Sequence, residues 1–291
     1  WDFFAVRAHA PYARVLGRRT MPGAEWFPGA RLNYAEHIFR GRDDDAVAIR
    51  HASELRPLAA TTWGELRALT ARLAAALRAE GIGAGDRVVA YLPNVLETVA
   101  AFLACASIGA IWSSASPDFG ARGVADRFAQ IEPALLFAVD GYRYGGRDFD
   151  RRDVLADLQR RLPTVRRTVV LRYLDPRADL SGLRDAVAFD AFVRGGAGNA
   201  DDGGAPPLAF GPVPFDHPLW VLYSSGTTGL PKAIVHGHGG ILLEHLKVLH
   251  LHLDARADDR VFWFTTTGWM MWNFLVGCLL TPASIVLYDG S

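Results

Sequence analysis

The alternation of short apolar runs with segments of helical periodicity is the feature that most constrains the fold of this chain. Thr62–Glu65 has the pattern of a capping box, and leucines follow it every three or four residues, which predicts a helix. Further helices are predicted at 94–109, where Asn94 would be the cap, and at 120–131, 150–162 and 240–253. The intervening apolar runs predict strands at 87–92, 110–113, 134–140, 168–173, 219–223, 233–235, 260–264 and 285–288. Such alternation favours parallel strands joined by right-handed crossovers, so we predict an α/β fold with mostly parallel, doubly wound sheets.

A segment rich in Gly and Pro, residues 195–214, interrupts this alternation and is predicted to be a long loop or linker. On this basis we expect a first α/β unit at 61–194 and the start of a second one at 215–291. Residues 1–60 would be an opening segment. The chain stops directly after a predicted strand, so we expect an incomplete domain.

Composition excludes several classes of partner. Lys plus Arg and Asp plus Glu both number 31, so the zero net charge gives no electrostatic basis for binding nucleic acid or an anionic membrane. The apolar stretch 99–112 is too short to span a bilayer, and polar residues, Gly and Pro interrupt 269–288. Two cysteines provide no disulfide framework, which favours a reducing cytoplasm. We therefore expect a cytoplasmic protein that acts on small molecules.

A loop rich in glycine and hydroxyl groups follows the predicted strand at 219–223 and ends on a lysine. Glycine lets a backbone approach a ligand closely, successive N–H groups form an anion site, and lysine supplies a mobile positive charge. This chemistry suits a polyphosphate, although an ordinary turn is the alternative. The candidate phosphate-binding residues are Ser224, Ser225, Gly226, Thr227, Thr228, Gly229 and Lys232.

The lysine itself favours phosphate binding, because 29 of the 31 basic residues are arginine and an ordinary turn would accept arginine equally well. The other lysine, Lys247, is predicted to form a surface pair with Glu244. The spacing of a P-loop is absent, as are the glycine pattern of a dinucleotide site and the serine pattern of a hydrolase.

The loop as a whole resembles the phosphate-binding signature of the acyl-adenylate-forming (AMP-binding) superfamily. Other segments resemble the amino-terminal half of short-chain acyl-CoA synthetases, and two of them resemble the subgroup specific for acetoacetate. These segments are 26–33, 85–94 and 103–110, and, for the subgroup, 140–147 and 264–273.

The resemblance implies a ligase that uses ATP, Mg²⁺ and CoA to convert acetoacetate into acetoacetyl-CoA, AMP and pyrophosphate through an acyl-adenylate. Acetyl- or propionyl-type synthetases and a non-catalytic nucleotide-binding module are the alternatives. The family's catalytic lysine lies in a carboxy-terminal domain that has no counterpart in this sequence. Residues 1–291 alone are therefore expected to be inactive.

The resemblance also implies an acyl pocket and a CoA contact. The acyl candidates are Trp269, Met270, Met271 and Asn273, for which core packing is the alternative. The CoA candidates are Arg143 and Arg147, in a stretch (140–172) that holds nine Arg and five Asp. A solvated, arginine-rich surface is the alternative there. The histidine pairs at 236/238 and 250/252 lack further ligands at suitable spacing, so no metal site is predicted.

Overall fold

The computed structural model describes residues 1–196, 205–224 and 229–291. Elements are numbered in chain order. The strands are β1 Leu16–Arg18, β2 Glu25–Trp26, β3 Arg31–Leu32, β4 Val47–Ser53, β5 Ala59–Thr62, β6 Arg87–Tyr91, β7 Ile111–Ala115, β8 Leu135–Val139, β9 Gly141–Tyr144, β10 Arg147–Asp150, β11 Arg167–Leu171, β12 Ala186–Ala188, β13 Val213–Pro214, β14 Pro218–Ser224, β15 Lys232–Gly237, β16 Arg260–Phe262 and β17 Ser284–Asp289. The helices are α1 Tyr34–Phe39, α2 Trp63–Ala79, α3 Leu96–Ser107, α4 Ala121–Phe128, α5 Arg152–Arg161, α6 Phe189–Gly195, α7 His238–Lys247 and α8 Met270–Gly277.

The larger sheet has the strand order β12-β11-β8-β6-β7-β14-β15, and all its neighbours are parallel except β14 and β15. Successive residues of its strands belong alternately to two apolar clusters. Val88 and Ala90 face the cluster that contains α2 and α3, whereas Val89 faces the one that contains α4 and α5. Helices thus cover both faces, and the predicted doubly wound α/β fold is confirmed. The one antiparallel pair among these neighbours fits the mostly parallel arrangement that was predicted, and β15 returns antiparallel because its connection from β14 is short.

A second, smaller sheet has the order β16-β17-β4-β5. Strand β17 pairs in parallel with both β16 and β4, and β5 forms an antiparallel edge. The expected separation of sheets at residues 195–214 is not what the structure has. Strand β14 joins the larger sheet beside β7, and β4 from the opening segment joins the smaller sheet. Local sequence patterns identify strands but not their partners, because pairing is decided by long-range packing.

Two helix starts show what the sequence pattern could and could not specify. The capping box of α2 is confirmed, since the Thr62 hydroxyl accepts from Glu65 N and the Glu65 carboxylate accepts from Thr62 N. The predicted cap at Asn94 is wrong, because α3 begins after Val95, and no side chain in the described ranges caps it. Instead Asn94 accepts from Trp272 Nε1 at 3.0 Å and donates to Tyr288 O at 3.3 Å, so it joins α8 to β17.

The described part of the Gly/Pro-rich segment is packed rather than free. Strand β13 pairs with β3, and Arg31 donates to Pro212 O at 2.7 Å. The buried Asn33 amide donates to Gly211 O at 2.9 Å and also to Ala106 O and Ser107 O. Residues 205–214 therefore bind the opening segment to α3, whereas 197–204 lie outside the described residues.

Candidate functional site

Most of the predicted site residues that the structure describes lie at the carboxyl edge of the larger sheet. Strand β14 is parallel to β7, with Trp220 opposite Trp112, so Ser224 lies beside the carboxyl end of β7. Ligands of open α/β sheets usually bind at this edge. The candidate loop begins here, and its residues Ser225, Gly226, Thr227 and Thr228 lie outside the described residues.

The two ends of the loop are held together by strand pairing. Ser224 lies opposite Lys232 in the β14–β15 ladder, so the predicted lysine returns to the start of the loop. Gly229 has a φ of +98°, a left-handed conformation that favours glycine. Gln130, which follows α4, donates to Pro231 O at 2.9 Å. The exposed Lys232 is therefore carried by backbone that is fixed on both sides.

The segment between β16 and α8 crosses the carboxyl end of β7. Ser114 Oγ donates to Thr267 O and Thr267 Oγ1 donates to Leu92 O, both at 2.7 Å. Thr267 is fully buried by these contacts. The backbone that leads to the acyl candidates is thereby fixed beside β7, the strand that neighbours the candidate loop.

The acyl candidates have very different environments. Trp269 and Met270 are 61% and 52% exposed at the start of α8, and Met271 is half-buried. Asn273 is buried, and neither its amide oxygen nor its amide nitrogen has a hydrogen-bond partner among the described residues. Trp272, which lies between Met271 and Asn273 in sequence, is buried in the core, and its ring stacks on that of Trp112 with centroids 6.5 Å apart. Among the four acyl candidates, Asn273 alone combines burial with polar atoms that have no partner in the described part of the chain.

A cavity of about 320 Å³ opens at the same edge. One wall is aromatic and is formed by side chains of β9 and β10. The other walls are formed by the residues that follow β7 and β16 and by those at the end of β17. Asp289 lies in this cavity, accepts from Tyr173 OH at 3.0 Å, and has a pKa raised by burial to about 6. The lining residues are Ser116, Pro117, Asp118, Tyr142, Tyr144, Phe149, Phe264, Thr265, Thr266, Tyr288, Asp289 and Gly290.

The two CoA candidates lie on a hairpin, but on opposite faces of it. Tyr144 pairs with Arg147 across a two-residue turn, and Arg143 pairs with Asp148. Cross-strand partners share a face and successive residues alternate, so Arg147 shares the face of Tyr144, which lines the cavity. Arg143 instead holds the Asp148 carboxylate at 2.6 Å. This ion pair lowers the pKa of Asp148 and raises that of Arg143.

Other arginines of 140–172 also form ion pairs with carboxylates of the same stretch, and such pairs leave the excess of nine Arg over five Asp unchanged. Arg152 pairs with Asp150, and Arg160 and Arg161 both pair with Asp157. Within the three described ranges, Arg147 has no ion pair closer than 4 Å. Lys247, as predicted, pairs with Glu244 at 2.8 Å.

The histidines take structural contacts. His236 Nδ1 accepts from Trp220 Nε1 at 2.9 Å, and His238 Nδ1 accepts from Tyr34 N at 3.2 Å. In the part of the chain that the structure describes, no three His, Cys, Asp or Glu side chains are close enough to hold a metal ion. Likewise, none of the helices it describes is long and apolar enough to cross a bilayer.

Sequence reasoning missed the hairpin, Asp289 and a larger cavity of about 670 Å³. That larger cavity lies between β2 and the Pro214–Asp216 segment, and no predicted site residue lines it. The hairpin had a signal in the sequence, the adjacent pair Gly145 and Gly146. A two-residue hairpin turn requires positive φ, which glycine adopts easily, and the two residues have φ of +60° and +72°. Asp289 had no such signal, because its surroundings come from distant parts of the chain.

Comparisons with known proteins agree with the resemblance read from the sequence. Residues 39–291 match the family model described as AMP-binding enzyme. The acetoacetyl-CoA synthetase of Mus musculus is 48% identical over an alignment of 298 residues, and that of Danio rerio is 46% identical over 296. Each alignment covers 100% of this chain and 44% of the relative. The acetoacetyl-coenzyme A synthetase of Rhizobium meliloti (strain 1021) is 46% identical over 295 residues, all of this chain and 43% of that protein.

A solved structure, the acetoacetyl-CoA synthetase from Streptomyces lividans, superposes with a TM-score of 0.92 at 55% identity. The match covers all of this chain and 43% of that one. The chain thus spans less than half the length of the relatives that it matches.

Proposed function

The chain belongs to the AMP-binding enzyme family, and we propose from this that it supplies the phosphate- and acyl-binding part of an ATP-dependent acetoacetate–CoA ligase. The observation that carries the proposal is sequence identity to acetoacetyl-CoA synthetases. It is 43–48% for six of these relatives, over nearly all of the chain. The position of the loop's described ends and of the 265–273 segment at one sheet edge supports it.

The reaction explains why an anion-binding loop should lie beside an acyl pocket. In the first step, a carboxylate oxygen of acetoacetate attacks the α-phosphorus of ATP, and the bond to the departing pyrophosphate breaks. In the second, the sulfur of CoA attacks the acyl carbon, loses its proton, and displaces AMP to leave a thioester. Negative charge accumulates at phosphorus in the first step, so positioning and electrostatic stabilisation dominate catalysis.

We assign the β- and γ-phosphates to the loop that ends on Lys232, with Ser224 and Gly229 at its described ends. Trp269, Met270, Met271 and Asn273 are assigned to the acyl group, and Arg143 and Arg147 to CoA. Mg²⁺ would arrive with the ATP phosphates and keep much of its water, since Mg²⁺ does not need a cluster of protein carboxylates.

We also place the protein in the cytoplasm and expect small molecules to be its only ligands. The two cysteines, Cys105 and Cys278, are free and buried, which suits a reducing compartment. The zero net charge supports the absence of nucleic-acid binding.

The test uses the full-length protein, meaning residues 1–291 together with any residues that precede or follow them in the gene. Pyrophosphate release and thioester formation are measured with ATP, CoA and, in turn, acetoacetate, acetate, propionate and butyrate. We expect the highest kcat/KM with acetoacetate. A preference for acetate or propionate would indicate the acetyl- or propionyl-type enzyme, and ATP binding without turnover would indicate a nucleotide-binding module.

Residues 1–291 produced alone form the second arm of this test. They are expected to release no pyrophosphate from ATP and acetoacetate, because neither lysine of the chain matches the family's catalytic position. Measurable release would contradict that part of the proposal while leaving the substrate assignment intact.

A further inference from the structure

The carboxylate of Glu54, a residue not assigned to any substrate, links the β9–β10 hairpin to the smaller sheet. Glu54 follows β4 directly, in a tight turn in which Ser53 Oγ accepts from Leu55 N at 3.1 Å and from Arg56 N at 3.0 Å. The β4–β17 ladder ends just before it, with Ser53 opposite Asp289. The turn is therefore anchored, and it presents the Glu54 side chain beside the residues that follow β17.

The Glu54 carboxylate accepts hydrogen bonds from three backbone N–H groups. Gly145 N and Ser291 N donate to Oε1 at 2.9 and 2.8 Å, and Gly146 N donates to Oε2 at 2.7 Å. Two successive glycines of positive φ turn their N–H groups to one side, which forms a concave anion site. Glu54 fills that site, and the hydrogen bonds lower the pKa of its carboxyl to about 2.

These bonds connect two walls of the 320 Å³ cavity. One wall is the hairpin face that carries Tyr142 and Tyr144, and the other contains Gly290. A Cβ on Gly290 would lie 2.8 Å from the Glu54 side chain, so the two segments are already in close contact. The distance between the walls therefore depends on the Glu54 contacts.

We propose that Glu54 is a positioning residue, which holds the β9–β10 hairpin and its Arg147 against the backbone that follows β17. The proposal rests on the proposed function, because Arg147 matters only if the hairpin binds the phosphates of CoA. Glu54 touches no reacting atom. Its loss lets the hairpin move away, which weakens CoA binding and leaves adenylate formation unchanged.

The first measurement compares Glu54→Gln and Glu54→Asp with the unsubstituted full-length protein. An amide cannot accept on its nitrogen, so Glu54→Gln loses part of the hydrogen-bonding pattern, whereas Glu54→Asp keeps the charge on a shorter side chain. We expect the KM for CoA to rise about fivefold in Glu54→Gln and less in Glu54→Asp. The rate of pyrophosphate release without CoA should stay within about twofold. Glu244→Gln, which alters a surface carboxylate of α7, is the matched control and should change neither value.

The second measurement is independent of activity. Hydrogen exchange of a peptide spanning 141–150 is expected to accelerate in Glu54→Gln and in Gly290→Ala, which pushes the Glu54 side chain aside, but not in Glu244→Gln. Unchanged exchange in both test variants overturns the proposal, and so does faster exchange with an unchanged KM for CoA. If the unsubstituted protein forms no acyl-CoA, the proposed function fails instead, and calorimetric titration with CoA alone then decides whether Glu54 affects coenzyme binding.

Discussion

At the scale of single residues, the hairpin distinguishes two arginines that the sequence presents as equivalent. Arg143 is neutralised by Asp148 on one face, and Arg147 lies on the face that carries the cavity-lining Tyr144. A guanidinium already held in two hydrogen bonds gains little from a second anion, whereas an unpaired one gains a charge-assisted bond.

We therefore expect Arg147→Ala to raise the KM for CoA about tenfold, the loss of one charge-assisted hydrogen bond. Arg143→Ala should raise it less than about threefold, since this arginine is engaged with Asp148. Both values come from steady-state kinetics of the full-length protein, with pyrophosphate release as the control that neither variant should affect. A larger effect in Arg143→Ala than in Arg147→Ala would contradict this order of the two CoA candidates.

Asn273 is the second residue whose environment the structure decides. A buried amide with both polar atoms unpaired destabilises a folded chain, unless a ligand or further protein supplies partners. The keto oxygen of acetoacetate is such a partner for the amide nitrogen, which is why we assign Asn273 to the acyl group.

Asn273→Leu should accordingly stabilise the protein by about 1–3 kcal/mol in urea unfolding. It should also reduce the preference for acetoacetate over butyrate about tenfold, measured as a ratio of kcat/KM values. The matched control is Asn94→Leu, which removes an amide that has partners in Trp272 and Tyr288 and should destabilise. An unchanged substrate preference in Asn273→Leu would reject the assignment.

At the scale of elements, the start of α1 joins three parts of the chain. Asn33 Oδ1 accepts from Ala35 N at 2.9 Å and so caps α1. Its amide nitrogen donates to carbonyls at the end of α3 and at Gly211. One fully buried side chain thus fixes a helix start, a helix end and the described part of the Gly/Pro-rich segment.

Asn33→Ala should therefore lower the free energy of unfolding by about 3 kcal/mol, the combined loss of a cap and of buried hydrogen bonds. Thr62→Ala is the comparison, because among the described residues the Thr62 hydroxyl bonds only within its own cap, to Glu65 N, and about 1 kcal/mol is expected there. Urea unfolding measures both. Equal losses in the two variants would show that the tertiary contacts of Asn33 contribute nothing.

At the scale of the whole molecule, the packing of α1 against α7 depends on neutral histidines. Burial lowers the pKa of His238 to about 3 and that of His245 to about 4, from an ordinary value of 6.5. His238 accepts from Tyr34 N, and His245 lies 2.8 Å from Tyr34 OH. Protonation of His238 would remove that acceptor and charge a buried ring.

The unfolded chain therefore binds more protons than the folded one as the pH falls below about 6.5, so stability falls with pH in that range. The loss continues down to the folded-state values near 4 and 3. Unfolding free energies measured at pH 7, 6, 5 and 4 should decrease, and His245→Gln, which cannot titrate, should flatten the decrease. His252→Gln, at an exposed position, is the control. A slope unchanged by His245→Gln would contradict the role of His245.

The sequence by itself determined the alternation of strands and helices and the capping box of α2, and it predicts the phosphate-binding loop. These features depend on local periodicity and on contiguous motifs, in which the interacting groups are neighbours along the chain. The match of residues 39–291 to a known family has the same origin.

Only the tertiary structure decided that β14 joins the larger sheet and β4 the smaller one, and that Asn94 connects α8 to β17 rather than capping α3. It also placed Arg143 and Arg147 on opposite faces and brought Glu54 to the turn at Gly145. Those contacts join residues far apart in sequence. Their energies depend on burial and on which groups already have partners, and neither quantity exists before the chain has folded.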